Sequence, residues 1–494
     1  MSFSPTKAAE ERRPGAGGSS TGFSWRFTAP LFMGSALNPV NSSLIATALV
    51  PIAHGVHVSV GRTAALVSAL YLASAVAQPT AGKLSEVFGP RRVFLAGICL
   101  VLAGGVVGGA GQSLGTLILA RVLIGVGTSG GYPSAMLLIR RRAAEIGLDQ
   151  PPGGVLGGLQ IAGTATAALG LPIGGVLVAA FGWRATFLIN VPVTLLALIL
   201  TVRWLPRDPA ISGPLSTRFV ITRIDLAGIL AFAGAISAFL FFLNSLPHPD
   251  WIVLAAAIVL ALVLVGWELH AEQPFLDLRL LATNRALTRT YLRFGLTSLC
   301  VYTILYGLST WLEAARGFSA SEAGLLVLPM AGLAGILMMP ISRRNLVRSA
   351  LIVSAISSTV GSIAILLLST GSPIIAIVAV TLIFGITLGT FAPANQTALY
   401  TQAVGSQIGT AAGLLRTFGY VGSIASSAII SVVFHKHVTD HGLHTVAVIM
   451  IAVSAVGLLF ALADRRLRTS IRAQPDPPPP SPRVRERGIA GGAA

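Results

Sequence analysis

The side chains of this chain that could do chemistry lie mostly inside long apolar stretches, where polar groups are costly and mark binding sites or hydrogen bonds between helices. Asn38 and Ser42 are four residues apart, so a helix would place them on one face, with Asn41 one helical step away. Two interpretations of this Asn/Ser cluster stay open. It could contact a bound molecule or form part of a gate, or it could join neighbouring helices by hydrogen bonds.

Arg121 and Glu313 are the charged candidates for a coupling role. Arg121 falls several residues into an apolar stretch, where a lone guanidinium needs carbonyls, water or a bound molecule as acceptors. It could relay protons or attract an anion, or it could be the hydrogen-bonding hub of a gate. Glu313 stands near the end of another stretch and is a candidate titrating group if buried, or else a solvated residue at the rim. Asp225 precedes a further stretch and is predicted to cap a helix.

Other polar and aromatic residues inside the apolar stretches are weaker candidates for lining a central cavity. Aromatic rings there could bind flat hydrophobic compounds, although most such side chains simply pack. These candidates are Tyr71, Gln78, Tyr132, Gln160, Tyr302, Tyr306, Asn395 and Gln396.

The sequence carries no motif of an enzyme. A phosphate-binding P-loop, a Gly-x-Ser-x-Gly elbow and a His-Glu-x-x-His zinc motif are all absent, and we predict no cofactor or metal site. The formal net charge is +17, but the basic residues are scattered between apolar stretches, which argues against nucleic-acid binding. We therefore predict that the protein is not an enzyme.

Composition points to a membrane protein. Of the 494 residues, 54% are hydrophobic and 10% are charged, against about one quarter charged in a soluble protein. A spanning helix needs roughly 20 apolar residues, and lipid offers backbone groups no water, so each long apolar run is predicted to be a helix. Fourteen runs qualify, at 29–53, 63–81, 93–111, 115–138, 156–181, 185–204, 225–245, 250–267, 291–313, 322–341, 348–369, 373–394, 408–434 and 443–463.

The basic residues alternate with these runs. If the N-terminus is cytoplasmic, cytoplasmic loops and tails hold most of the 34 Lys and Arg, as membrane proteins require. We therefore predict a multi-pass protein of the cell membrane, plasma or inner, with both termini in the cytoplasm. The exceptions are Arg62, Arg184, Arg316 and Lys436 on the opposite side and Arg121 and Arg416 inside runs.

The predicted fold class is an all-α integral membrane protein with two six-helix halves and two inserted transmembrane helices. Runs interrupted by Gly and Pro recur at comparable places in the two halves, at 156–181 and 373–394, which suggests internal repeats around a central site. The predicted divisions are a disordered cytoplasmic tail 1–27, the first half 28–206, a linker with the two extra helices 207–290, the second half 291–464 and a disordered, basic, Pro-rich tail 465–494.

The loop between the second and third runs carries the most informative motif. It reads Gly-Lys-Leu-Ser-Glu-Val-Phe-Gly-Pro-Arg-Arg-Val over residues 82–93 and resembles the loop between helices 2 and 3 of major facilitator superfamily transporters. Gly82, Glu86, Gly89, Arg91 and Arg92 stand at the motif positions. Further stretches, in matching order and spacing, resemble the 14-helix drug:proton antiporter branch of that superfamily. They are Leu37–Ile52, Arg121 with Gly125 and Gly127, Gly170–Gly175, Gly182–Pro192, Ile224–Gly228 and Glu272–Arg279.

The resemblance implies a major facilitator fold that exports small, hydrophobic compounds by alternating access, in the manner of multidrug efflux driven by the proton gradient. The lipid bilayer, a small-molecule substrate and protons are then the expected partners. Glu86, Arg91 and Arg92 are expected to latch the cytoplasmic side. Helix bending and close helix approach are expected at Gly170, Pro172, Gly174 and Gly175.

Asn38 departs from the family pattern. It stands where the family usually carries an Asp linked to proton exchange, and an amide does not titrate near neutral pH. Two alternatives therefore remain. The chain could transport a specific anionic metabolite or lipid without proton antiport, or it could be a membrane scaffold or sensor that transports nothing.

Overall fold

The computed structural model describes residues 22–58, 60–148, 150–209, 223–246, 248–435 and 437–463. Helices are the only regular structure in these ranges, as the apolar runs predict. The first helix begins at Trp25, inside the predicted tail 1–27. The rest of that tail up to residue 21, the second tail and residues 210–222 of the linker lie outside the described residues.

The helices of the first half follow the predicted runs. Local signals set several ends: Ser113 accepts the Thr116 N–H to cap one helix, and Gly89, at φ 101°, lets the chain turn before Pro90 opens the next. The elements are α1 (Trp25–Leu44), a 3₁₀ turn (Ile45–Ala48), α2 (Leu49–Gly55), α3 (Val60–Phe88), α4 (Pro90–Ala110), α5 (Leu114–Ser129), α6 (Gly131–Glu145), α7 (Gly153–Phe181), α8 (Ala185–Leu188) and α9 (Asn190–Trp204).

The remaining helices begin after Asp225. That residue caps its helix as predicted, by accepting the Gly228 N–H at 3.1 Å, and Asp250 caps the next helix in the same way. The elements are α10 (Leu226–Ser245), α11 (Trp251–Glu268), α12 (Leu278–Thr283), α13 (Arg285–Thr303), a π turn (Ile304–Leu308), α14 (Ser309–Ala314), α15 (Ala320–Arg343), α16 (Val347–Ile365), α17 (Ile374–Gln402), α18 (Ile408–Val433) and α19 (Asp440–Ala463).

All fourteen predicted runs coincide with helices, but the count of membrane spans is smaller. Within the described ranges, twelve helices or continuous helical stretches are long and apolar enough to cross a membrane. Helices α3 and α7, each of 29 residues, are not among the twelve. The structure therefore supports an all-helical membrane protein with twelve candidate spans, and the prediction of two additional spans is not established.

We keep the names first half for residues 28–206 and second half for residues 291–464, and two pairs of helices join them. Helix α3 packs against α18, and α7 packs against α15, so each pair joins one half to the other. The contacts are tight at the end of the bundle that carries the loop 82–93, which we call the motif end. There the backbones of Gly82 and Gly409 touch, and Ser342 Oγ donates to the carbonyl of Gly153 at 2.5 Å. The two halves are thus closed against each other at the motif end.

Candidate functional site

Asn38 lies buried on α1 at the centre of a hydrogen-bond network. Its Nδ2 donates to Ser74 Oγ and to Thr128 Oγ1, both at 2.9 Å, and its Oδ1 accepts from the Tyr420 hydroxyl at 3.0 Å. The two hydroxyls in turn donate to the carbonyl of Gly125. The amide therefore uses both donors and its acceptor, and no group at this position titrates near neutral pH.

Tyr420 carries this network from one half to the other. Its hydroxyl also accepts from Gln78 Nε2 at 2.8 Å, and Thr417, one turn earlier on α18, donates to the carbonyl of Ala75 at 2.8 Å. Asn38 and Gln78 belong to the first half, whereas Tyr420 and Thr417 belong to the second. Two of the predicted cavity residues are thus joined through a tyrosine that the sequence analysis did not select.

Arg121 is buried on α5, with 1% of its surface exposed. Its Nε donates to the carbonyl of Leu66 and its Nη1 to the carbonyl of Asn41, both at 3.0 Å. The Asn41 side chain exchanges two hydrogen bonds with Asn190, at 2.7 and 2.9 Å. Arg121 thus serves as a hub that ties α1, α3 and α5 together, and Nη2 has no hydrogen-bond partner among the described residues.

Arg416 lies on α18 and faces the first half. Its Nη2 donates to Gln160 Oε1 at 3.0 Å, and its guanidinium carbon sits 4.1 Å from the centre of the Tyr132 ring. Gln160 and Tyr132 are predicted cavity residues of α7 and α6. Both are therefore at the interface between halves, where a cation of the other half contacts them by a hydrogen bond and a cation–π interaction.

Three of the predicted tyrosines take part in two ring pairs. Tyr71 lies 5.9 Å from Tyr420 between ring centres, across the interface between halves. Tyr302 and Tyr306 stack at 5.7 Å, and Tyr306 lies within the π turn Ile304–Leu308. Turns of this kind inside α-helices often occur at functional sites.

Asn395 and Gln396 are fully buried on α17 and point to different partners. Asn395 Oδ1 accepts from Arg293 Nε at 3.1 Å, within the second half. Gln396 Nε2 lies 3.2 Å from the sulfur of Met136, across the interface between halves. Gln396 therefore packs at the interface between the halves, and Asn395 packs within the second half. In the described part of the chain, neither lines the same space as Asn38.

Glu86 is the residue of the loop motif that reaches the other half. Its carboxylate accepts from the Thr410 N–H at 2.7 Å and from Thr410 Oγ1 at 3.0 Å. The residue lies beyond the apolar run 63–81, and burial against the second half raises the pKa of its carboxyl to about 7, although the bonds from Thr410 and the charge of Lys83 oppose this rise. Glu86 and Gly82 together hold the motif end closed.

Arg91 and Arg92 bond within the first half and not across to the second. Arg91 Nη2 donates to the carbonyl of Val202 at 3.0 Å, and Arg92 Nη1 donates to the carbonyl of Phe88. Asp208 accepts from the Arg92 N–H at 2.8 Å and pairs with Arg141 at 3.3 Å. Within the described residues, the part of the predicted latch that bridges the halves is Glu86, while the two arginines brace the loop.

The glycines of α7 have unequal surroundings. A Cβ at Gly170 would overlap the Ser43 side chain, and one at Gly174 would lie 2.6 Å from Thr47 Oγ1, so both allow α7 to approach the first helical stretch. A Cβ at Gly175 would meet nothing within 4 Å, and Pro172 continues the helix. Ser42 donates to the carbonyl of Pro39 at 2.8 Å, within its own helix.

Glu313 is exposed near the end of α14. The structure therefore places this candidate titrating group outside the buried interior that holds Asn38 and Arg121, in keeping with the alternative of a rim residue.

Several residues of the site were missed by the sequence analysis. Asn190 and Arg416 gave a usable signal, because each is a strongly polar side chain inside an apolar run. Ser74, Thr128 and Tyr420 gave none, since such residues are common in membrane helices without any special role.

Comparison with known proteins identifies the fold. A family model described as Major Facilitator Superfamily matches residues 31–427. A protein named an uncharacterized MFS-type transporter, YwoD of Bacillus subtilis, is 33% identical over 444 residues, which cover 88% of this chain and 96% of that protein. The multidrug resistance protein B homolog of Mycobacterium tuberculosis is 31% identical over 281 residues, 55% of this chain and 49% of its own.

A solved structure shares the architecture. The proton:xylose symporter XylE, bound to 6-bromo-6-deoxy-D-glucose, superimposes with a TM-score of 0.62 at 14% sequence identity, and the match covers 89% of this chain and 95% of that one. At this level of identity the likeness concerns the fold alone.

Proposed function

The chain belongs to the major facilitator superfamily, a family of membrane transporters and not of enzymes, and from this premise we propose that it exports small molecules from the cytoplasm by secondary transport. The observation that carries the proposal is the polar network Gln78–Tyr420–Asn38, which joins the two halves across a buried centre. A related protein named for multidrug resistance supports an export role. The substrates we propose are small and largely hydrophobic, because tyrosines adjoin this network.

We propose fourteen spans, as in the drug-exporting branch that the motifs resemble. Helices α3 and α7 each hold 29 residues, and at about 1.5 Å per residue such a helix exceeds the roughly 30 Å of hydrocarbon. Each also packs against helices that are themselves candidate spans. Basic residues at the motif end support a cytoplasmic location of that end, with both termini in the cytoplasm of a cell-membrane protein.

The transport cycle we propose is alternating access. Closure at Gly82, Glu86 and Ser342 then corresponds to the state that faces outward. Opening of the motif end requires loss of the Glu86–Thr410 bonds and separation of α7 from α15, while rotation of one half about the central network exposes the site to the cytoplasm.

Proton exchange at position 38 is not part of this proposal. An amide with both donors and its acceptor occupied cannot replace a titrating acid. The observation favours the alternative coupling that the sequence left open, in which transport does not use proton antiport at this residue.

A reversible crosslink tests the proposal. A Cβ at residue 157 would lie 2.9 Å from Ser342 Cβ, so the two helices need to separate by only about 0.6–1 Å to reach the roughly 3.5–4 Å of a disulfide. The double variant Gly157→Cys/Ser342→Cys, with Cys99 and Cys300 replaced by Ser, is reconstituted in liposomes loaded with ethidium or 2-naphthalenesulfonate. We expect flux of at least one probe, loss of that flux on oxidation, and its return on reduction.

The single variant Ser342→Cys in the same background is the matched control, because it cannot form the crosslink and should transport under both conditions. Equal flux through the crosslinked and reduced protein would refute alternating access at this interface. Absence of flux of both probes through the reduced, folded protein would refute the export proposal for charged aromatic compounds.

A further inference from the structure

We propose that Arg416 is the anion-binding residue of the transport site, and that the exported molecule is an aromatic anion driven outward by the membrane potential. This inference rests on the proposed export function and adds the charge of the substrate and the driving force. It follows from the charges in the interior of the bundle, from the position of Arg416 and from the aromatic side chains next to it.

The interior of the described bundle holds cations without acids. Each Asp and Glu of the described residues lies in a loop, at a helix cap or in the terminal turn of a helix. Arg121 and Arg416 lie farther inside their helices, and the ion pairs identified in the described chain, Arg141–Asp208 and Arg142–Glu145, are elsewhere. An interior of this kind attracts anions and repels cations, because charges interact more strongly where water is excluded.

Arg416 is the interior cation placed to meet a substrate. Arg121 is 1% exposed and bonds two backbone carbonyls, while Arg293 is 2% exposed and bonds Asn395 and Thr290 within its own half. Arg416 is only partly buried and faces the opposite half. The first two therefore support the structure, whereas Arg416 lies where the halves separate during transport.

The contacts of Arg416 are neutral and replaceable. Gln160 accepts one hydrogen bond from Arg416 at 3.0 Å. The guanidinium carbon of Arg416 lies 4.1 Å from the centre of the Tyr132 ring, in a cation–π contact. A guanidinium has five N–H donors in a planar fork that fits a carboxylate or sulfonate with two parallel bonds, and such charge-assisted bonds are stronger than a bond to an amide. An anionic group entering between the halves would displace Gln160 and keep the stacking on Tyr132.

The neighbours of Arg416 favour an aromatic substrate. Tyr420 lies four residues farther along α18, hence on the same face, and its ring is 5.9 Å from that of Tyr71. Tyr132, whose ring centre lies 4.1 Å from the guanidinium carbon, adds a third aromatic side chain to the surroundings of this positive charge. A molecule with an aromatic body and one negative group matches this arrangement.

The charge of such a substrate also supplies the driving force. Moving one negative charge out of a cell whose interior is negative releases about 2.3 kcal/mol per 100 mV. Export of an anion therefore needs no proton exchange, which agrees with the amide at position 38. By the same constant, a membrane potential of about 60 mV sustains a tenfold ratio of the anion's concentrations outside and inside.

The test uses two permanently charged probes and a potassium potential. Wild-type protein in liposomes receives 2-naphthalenesulfonate or ethidium inside, and valinomycin with a potassium gradient sets the potential. We expect the sulfonate ratio, outside to inside, to rise about tenfold for each 60 mV of inside-negative potential, and to be unaffected by a pH gradient.

Variants assign this transport to Arg416. Arg416→Gln should lower sulfonate flux at least about tenfold, Arg416→Lys should retain part of it, and Arg62→Gln, which removes an exposed cation, should transport like wild type. Thermal unfolding of each purified variant shows whether it is folded. Unchanged sulfonate flux in folded Arg416→Gln overturns the assignment.

The probes separate failure of this inference from failure of the proposed function. Ethidium flux without sulfonate flux would overturn the anion inference and leave export standing. Sulfonate flux that follows the pH gradient rather than the potential would overturn the driving force. If neither probe is transported by folded wild-type protein, both the inference and the export proposal on which it rests are overturned.

Discussion

Lys83 Nζ donates to the carbonyl oxygen of Pro274 at 2.8 Å, which ties α3, the helix of the loop motif, to the segment that follows α11. Two acids, Asp225 at the start of α10 and Glu268 at the end of α11, hold the same segment. Asp225 Oδ2 accepts the Phe275 N–H at 2.9 Å, and Glu268 Oε1 accepts the Leu276 N–H at 3.1 Å. Helices α10 and α11 therefore brace the motif end.

Asp225→Ala should weaken this brace. The variant loses bonds to the Gly228 N–H, the Trp267 indole and the Phe275 N–H, and we expect it to lower the free energy of unfolding by about 2–4 kcal/mol. Asp250→Ala is the control, since it removes only a helix cap and should cost about 1 kcal/mol. Denaturant unfolding in detergent measures both losses, and equal losses would refute the brace.

Closure of the motif end should depend on pH through Glu86. The carboxyl has a pKa of about 7 in the closed state and would return to roughly 4.3 in water, so the closed state binds the proton more tightly. Closure is therefore favoured below pH 7 and weakened as the pH rises through 7. The probe is a water-soluble maleimide that labels the variant Ser342→Cys, and a denatured sample corrects for the change of thiol reactivity with pH. The corrected labelling rate should be about threefold to tenfold higher at pH 8 than at pH 6.

Glu86→Gln in the Ser342→Cys background is the control for this prediction. It keeps an acceptor for Thr410 but cannot titrate, so its corrected labelling rate should not change between the two pH values. A pH dependence equal to that of the parent would assign the effect to another group.

Asn38→Asp should create pH dependence in transport. The new carboxyl would stand among the hydroxyls of Ser74, Thr128 and Tyr420 and would add a titrating group to the centre of the bundle. We expect efflux from liposomes to respond to a pH gradient at least about threefold more strongly than wild-type efflux does. Asn38→Leu, which cannot titrate, should show no such response, and a response equal to that of Asn38→Asp would contradict the prediction.

Gly170 and Gly175 provide a matched pair on one helix. Gly170→Ala places a methyl group against the Ser43 side chain and should cost about 1–3 kcal/mol, because α1 and α7 must move apart. Gly175→Ala meets open space and should be neutral or stabilise by up to about 1 kcal/mol through helix propensity. Thermal unfolding in detergent compares the two, and equal melting temperatures would show that the helices do not pack as described.

The helices were predictable from the sequence, because helix formation is local. In lipid each backbone N–H must find its acceptor within its own segment, so a long apolar run suffices to predict a helix. The cap at Asp225 and the close approach at Gly170 follow from equally local rules. The loop motif at 82–93 and the further motif stretches were enough to predict the superfamily, which the family model confirms, whereas the 14-helix branch stays a prediction.

Which residues meet across the bundle was decided only by the tertiary structure. Tyr420 bonds to Asn38 across 382 positions of sequence, and nothing near either residue indicates the other. Likewise, nothing in the sequence near Arg416 indicates its bond to Gln160. Nothing near Glu313 indicates that its side chain is exposed. In a soluble helix the apolar face reveals which side is buried, but in a membrane the lipid-facing and packed sides are both apolar. The rotation of each helix about its axis, and hence the partner of each polar side chain, is set by packing against the other helices.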